Sequence, residues 1–163
     1  MAAPGSKRTA CPPIRRSTAR AGRSGQPVFV LSTVRSHDQY NTTVYGLDDR
    51  YRGVHGERRV LFANARDIRS LGMEAGERVD LESLGEDGVQ RTAKGFLLVA
   101  YDIPRGCLAA YYPETNGLVP LSSFAERART PTSKSIPVLV HPHRPATGAT
   151  RPSQRDIPAA VVG

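Results

Sequence analysis

"VLFANARDIRSLGMEAGERVDLESL", residues 60–84, contains the change of period that decides the fold class. Val60-Leu61-Phe62-Ala63 is a short apolar run of the kind that forms a buried strand. Asn64 follows, a residue whose side chain accepts hydrogen bonds from the orphan amides of a helix's first turn. Asp67 stands at the third helical position, Ala65, Ile68 and Leu71 share one face, and Gly72 is a natural C-terminal stop. A short amphipathic helix over "ARDIRSLG" is therefore expected, with aspartate as good a cap as asparagine at position 64. A turn at Gly76 then leads into an alternating strand with Val79 and Leu81 inward.

Strand signals continue on both sides. Val28–Thr33 is apolar and rich in β-formers. "GEDG" (85–88) turns the chain into "VQRTAKGFLLVAY", "DIPRG" leads to "CLAAYYPE", and "SIPVLV" (135–140) supplies a last strand. Six or seven short strands with one helix predict a mainly β fold, a small closed barrel rather than an open sheet. No internal repeat is visible.

The 163 residues amount to one domain's worth of chain, with a formal charge of +8. That charge belongs to the ends. Residues 1–26 carry six basic residues and no acid, residues 141–163 contribute +2, and residues 27–140 balance 14 basic against 14 acidic residues. Both ends are rich in Pro, Gly, Ser, Thr, Ala and Arg without apolar periodicity. The expected organisation is a disordered basic leader (1–26), a folded domain (27–141) and a disordered tail (142–163). Nothing resembles a secretory h-region or a membrane span, and the prolines argue against an organellar presequence. Cys11 and Cys107 lie in dissimilar contexts, so no disulfide framework is implied and a cytoplasmic setting is expected.

Several chemical readings fail on geometry. Ser36-His37-Asp38 sets hydrolase residue types side by side, but successive residues of an extended chain point to opposite faces and cannot converge as a triad. His141-Pro142-His143 lacks further metal ligands and reads as solvated tail. Cys107 reads as a small buried hydrophobe. There is no phosphate loop, CxxC pair or HExxH.

The stretch "STVRSHDQYNTTVYGLDDRYRG" (32–53) is harder to dismiss, because nearly every residue of its first half carries a hydrogen-bonding group. One reading is an exposed loop whose side chains bond neighbouring backbone. The other is a rim around a large polar ligand. Two later segments bear on the choice: "YYPETNGLVPL" sets Asn116 in a turn after a strand, and "RTPTSKSIPVLV" sets Lys134 just before the last one. A closed barrel can bring such strand ends to one mouth.

Taken together, these segments resemble the C-terminal molybdopterin-dinucleotide-binding domain of the large molybdenum oxidoreductases, and within them the formate-dehydrogenase-like alpha subunits. The resemblance rests on "STVRSHDQYNTT.YGLDDRYRG", "NARDIRSLGMEAGERVDL", "YDIPRGCLAAYYPETNGLVPL" and "TPTSKSIPV" in this order, and covers about residues 27–140. It implies a double-psi β-barrel covering one side of a bis-molybdopterin guanine dinucleotide. The family's cofactor-wrapping segment maps onto Thr33, Arg35, Ser36, His37, Gln39, Tyr40, Asn41 and Thr42. Its later asparagine maps onto Asn116 and its lysine before the final strand onto Lys134. The chemistry agrees: amides and hydroxyls pair with heterocycle edges, and Arg35 and Lys134 suit phosphates.

Full-length members of that family are several times longer, and their metal-facing and any iron–sulfur-proximal regions lie upstream. The expectation is therefore a truncated or detached cofactor-binding domain of an oxidoreductase, inactive alone, whose partners are the cofactor and the remaining domains of the parent enzyme. Two rivals stand beside it. One is a stand-alone barrel that has lost the cofactor. The other is a nucleic-acid binder working through the Arg-rich leader, which the neutral body and sparse aromatics disfavour. Neither nucleic acid nor membrane is expected as a partner.

Overall fold

The structure, a computed structural model, describes residues 25–37, 39 and 46–144. Most of the expected leader and tail lies outside these residues. Six strands form a closed barrel: β1 (Phe29–Val34), β2 (Val60–Ala63), β3 (Arg78–Ser83), β4 (Arg91–Ala100), β5 (Cys107–Tyr111) and β6 (Ile136–Pro142). Their order around the barrel is β1-β5-β2-β4-β3-β6. β1 runs parallel to β5 and β2 parallel to β4, and the other four contacts are antiparallel. The mainly β, closed-barrel expectation thus holds.

Alternation builds the core. Phe29 and Leu31, Leu61 and Ala63, Val79 and Leu81, Phe96 and Leu98, Leu108 and Ala110, and Val138 and Val140 pack together as buried apolar residues, one pair from each strand. Helix α1 (Ala65–Ser70) starts where expected, with Asn64 Oδ1 accepting from Arg66 N at 3.0 Å. It ends at Gly72, whose φ of 69° suits a residue without a Cβ. Gly72 N donates to Arg69 O and Met73 N to Ile68 O, closing the last turn, while Ile68 and Met73 join the core. A second helix, α2 (Tyr112–Thr115), is a single turn with Pro113 near its start, continued by a 3-10 turn over Asn116–Leu118.

A two-fold relation runs through the pairing. Exchanging β1, β2 and β3 with β4, β5 and β6 leaves the strand order and every pairing direction unchanged. The registers agree: Val30 stands beside Cys107 as Leu97 stands beside Val60, and Phe62 faces Ala109. The exchange equates Phe29 with Phe96, Leu31 with Leu98, Leu61 with Leu108 and Ala63 with Ala110. No repeat shows in the sequence because each strand pair is offset by a different number of residues.

Strand directions sort the connections between two ends. At the upper end lie the C-termini of β1, β3 and β5, with connections 35–59, 84–90 and 112–135. At the lower end lie connection 64–77, which contains α1, and connection 101–106.

The solvated tail expected at His141-Pro142-His143 is corrected. β6 continues through Pro142 in register with β3, and His143 N donates to Arg78 O at 2.9 Å. His143 Nδ1 lies 2.7 Å from Asp80 Oδ1, and His141 Nε2 lies 3.2 Å from Glu82 Oε2. The β3–β6 ladder and the His143–Asp80 bond hold this segment on the barrel wall. Cys107, expected to be buried, is half-buried at the head of β5 and is not a free thiol. Among the described residues no group of three His, Cys, Asp or Glu side chains could hold a metal, and no helix is long and apolar enough to cross a membrane.

Candidate functional site

The upper end gathers the segments singled out in the sequence. β1 and β5 run parallel with Thr33 beside Ala110 and Val34 beside Tyr111, so the chain leaves both strands at the same level. β6 enters there, with Ile136 opposite Leu31. Lys134, just ahead of β6, donates its ammonium to the Thr33 carbonyl and lies 3.3 Å from Thr33 Oγ1. Thr33 N in turn donates to Ser133 O at 3.0 Å. Residues about a hundred positions apart are thus stapled together where the β1–β6 pairing closes the barrel.

Beyond Thr33 the polar stretch divides into inward and outward groups. Thr33, Ser36 and Gln39 are buried, Arg35 is exposed and His37 is half-buried. Gln39 Oε1 accepts from Ser36 N at 3.2 Å and from Ser36 Oγ at 3.3 Å, and Gln39 N donates to Ser36 O. This compact turn is the local bonding that the loop reading anticipates, while the Gln39 amide nitrogen makes no hydrogen bond among the described residues. The His37 ring stands edge-on to Tyr51 with centroids 4.3 Å apart, and Ser36 bonds Gln39 and Arg58 rather than His37 among the described residues. Asn116 is exposed at the start of the turn after α2, its carbonyl accepting from Val119 N. Tyr40, Asn41 and Thr42 lie outside the described residues.

Beneath this rim is a buried polar network that the sequence reading missed. Arg58, only 9% exposed, forks onto Glu114 of α2 with Nε 2.6 Å from Oε1 and Nη2 3.4 Å from Oε2. Its Nη1 donates to Ser36 Oγ at 3.0 Å and to Gly46 O at 2.9 Å. The guanidinium lies 5.0 Å over the Tyr111 ring, whose hydroxyl donates to Asp49 Oδ2 at 2.9 Å. Asp49, 1% exposed, also accepts from Arg52 Nη1, which donates to the Arg35 carbonyl as well, at 3.0 Å. Burial pushes the Asp49 carboxyl up, but hydrogen bonds from Arg52 and Tyr111 outweigh it and hold the group below its ordinary range. Burial, then the bond to Asp49, pushes the Tyr111 phenol well above its ordinary range.

One signal could have revealed half of this network. Arg58 precedes Asp67 by the same nine positions that separate Arg105 from Glu114, each Arg lying two residues before its strand and each acid at the third position of the helix that follows. The salt bridges cross over: Arg58 pairs with Glu114 and Arg105 with Asp67 at 3.0 Å.

Among the described residues, hollows open at the upper end. One, of about 460 Å³, borders Arg58 and Glu114. Another, of about 830 Å³, lies between the β3–β4 turn and the 118–137 segment, and Thr132 and Ser135 on either side of Lys134 line it. Ser83 Oγ, buried on its wall, has no hydrogen-bond partner among the described residues.

Comparison with known proteins agrees with this geometry. The family described as "Molydopterin dinucleotide binding domain" matches residues 29–144, the span from β1 to just past β6. The chain is 53% identical over 142 residues to "Uncharacterized oxidoreductase Rv2900c" of Mycobacterium tuberculosis (strain H37Rv), covering 79% of this chain and 18% of that protein. It is 44% identical over 116 residues to "Protein YdeP" of Escherichia coli (strain K12), covering 70% of this chain and 15% of that protein. The chain therefore spans less than a fifth of the length of these curated relatives. A closed six-stranded barrel, a polar end closed by Lys134 on Thr33, and a family match across the whole barrel lead to one conclusion: the chain belongs to the molybdopterin dinucleotide-binding domain family.

Proposed function

We propose that the upper end of the barrel binds bis-molybdopterin guanine dinucleotide, as part of a formate-dehydrogenase-like molybdenum oxidoreductase. The observation that carries this reading is the meeting of Lys134 with the end of β1, which sets an ammonium beside the polar stretch. The donor set fits such a group. Arg35 is exposed and its side chain makes no ion pair among the described residues, so it offers a fork to a phosphate. The exposed Asn116 amide and the Gln39 NH₂ can meet a heterocycle edge, and Thr132 and Ser135, on either side of Lys134 in the chain, line the hollow of about 830 Å³. Thr33, being buried, acts through Lys134, and Ser36 acts through the turn it forms with Gln39. When bound, such a cofactor supplies a metal centre for two-electron exchange with a small substrate, formate on the family reading.

On this reading the barrel is of the double-psi type, which its two parallel pairings and two-fold exchange support. On the same reading the remaining walls around the metal belong to other domains of the oxidoreductase. A cytoplasmic location and the absence of nucleic-acid or membrane partners belong to the same reading, supported by the neutral charge of residues 27–140. A barrel that has lost the cofactor is the second reading, favoured by the engagement of Ser36 with Gln39 and Arg58. Native mass spectrometry of the 163-residue chain with mature cofactor separates the two. A mass increment of the guanine dinucleotide form, lost on Arg35→Met with Lys134→Met, is expected, and an unshifted wild-type mass would favour the second reading.

A further inference from the structure

Arg58 joins three pieces of chain at one side chain. It holds Ser36 in the polar stretch, Gly46 near the middle of the β1–β2 connection, and Glu114 in α2, two residues before Asn116. Through Tyr111, Asp49 and Arg52 the same cluster reaches the backbone of Arg35. We infer that Arg58 is a positioning residue, fixing the Arg35–Gln39 segment against the Asn116 turn so that the rim is formed before a ligand arrives. The inference rests on the cofactor reading above, and it concerns a residue that touches no ligand in that reading.

The two-fold counterpart separates positioning from ordinary structural support. Arg105 repeats the spacing and the crossed pairing of Arg58, but its side chain is 62% exposed and, among the described residues, bonds only Asp67. The Asp67 carboxylate also takes Gly106 N at 2.6 Å, which fastens the short 101–106 connection to α1. The bonds to Ser36 and Gly46 have no equivalent there, because the lower end has no long polar connection to hold. A shared device has thus been extended at one end only, toward the rim. A lysine at either position keeps the charge, but only at position 58 does it lose a fork that reaches three partners at once.

The test uses the 163-residue chain with guanosine 5′-diphosphate as the probe, comparing Arg58→Lys with Arg105→Lys by calorimetric titration, thermal melting and amide hydrogen exchange. The expected result is a tenfold or greater loss of affinity in Arg58→Lys, with faster exchange in residues 33–37 and 116–119. Arg105→Lys should keep its affinity within twofold whatever happens to its melting temperature. If Arg58→Lys proves too unstable to titrate, Glu114→Gln should give the same selective loss to a smaller degree. Unchanged affinity in folded Arg58→Lys or Glu114→Gln, or equal losses in the Arg58 and Arg105 variants, overturns the positioning role and leaves the cofactor reading standing. A wild-type chain that does not bind the probe counts against that reading and takes this inference down with it.

Discussion

At the upper end of the barrel an arginine two residues before β2 reaches the acid of α2, and at the lower end an arginine two residues before β5 reaches the acid of α1. The frame is shared, but the finish is not. At the upper end both partners are largely buried and the arginine holds a long polar connection, whereas at the lower end the acid is buried and its arginine lies largely in solvent. The comparison teaches that burial of the cation, and not the presence of the pair, distinguishes the end with the candidate site. Desolvating a guanidinium is tolerable only when its donors are met, and Arg58 meets them with a carboxylate, a hydroxyl and a carbonyl.

The contrast can be broken most directly by removing the cations. Arg58→Met leaves Glu114 without its partner in a half-buried site and should destabilise the chain by about 3–5 kcal/mol, measured by urea unfolding. A loss no larger than that from Arg105→Met would remove the distinction between the ends. Next in size is ligand binding. Arg35→Met and Lys134→Met, introduced into a full-length oxidoreductase of this family, should each lower cofactor occupancy in line with about 1.5–3 kcal/mol, roughly ten- to a hundredfold. Molybdenum and guanine nucleotide per folded protein give the readout, and full occupancy in both would return the polar stretch to being a loop.

The pH dependence sharpens the comparison further. The Asp49 carboxyl is lowered from 3.8, so its contribution to stability is complete above that pH and is lost as pH falls through the lower folded value. The Tyr111 phenol is raised from 10.0, so its contribution is complete below that pH and is lost as pH rises toward the folded value. The urea midpoint should therefore change little through this network between those limits, and Tyr111→Phe should remove the alkaline decline. An alkaline decline that survives Tyr111→Phe would mean that another group governs it.

The smallest effects belong to the lower end. Asn64→Ala should cost on the order of 1 kcal/mol through loss of the helix cap. Asn64→Asp, neutral on the sequence reading, should now be unfavourable too, because Asn64 Nδ2 donates to Ile103 O at 2.7 Å and a carboxylate cannot. Arg105→Met should cost under about 1 kcal/mol, given its exposure. Denaturant midpoints for the three variants rank these expectations.

Asn64 shows where sequence reading succeeds and where it stops. Its cap bond to Arg66 is local and follows from residue type and spacing, as do the Gly72 stop and the inward Val79 and Leu81. Its bond to Ile103 crosses from one connection to another, and no local pattern carries it. The same limit hid the network around Arg58, since a run of charges near residue 58 reads as solvated surface until the fold sets Glu114 and Ser36 beside it. His141 and His143 were misread for a related reason. Proline and flanking disorder signals dominate that segment locally, while its place on the barrel depends on Asp80 and Glu82 about sixty residues earlier. Lys134 lay on the legible side, because a closed barrel brings the start of its last strand to the end of its first.

The last strand also sets a condition on synthesis. β6 pairs with both β1 and β3, so until it emerges from the ribosome those two strands each present an unpaired edge to the surrounding solution. Most other pairings can form earlier, but ring closure joins segments from opposite ends of the barrel sequence, a slow event for a nascent chain. During that interval the exposed edges are open to pairing with other chains, so a stall before residue 136 would turn a closed domain into an aggregation hazard.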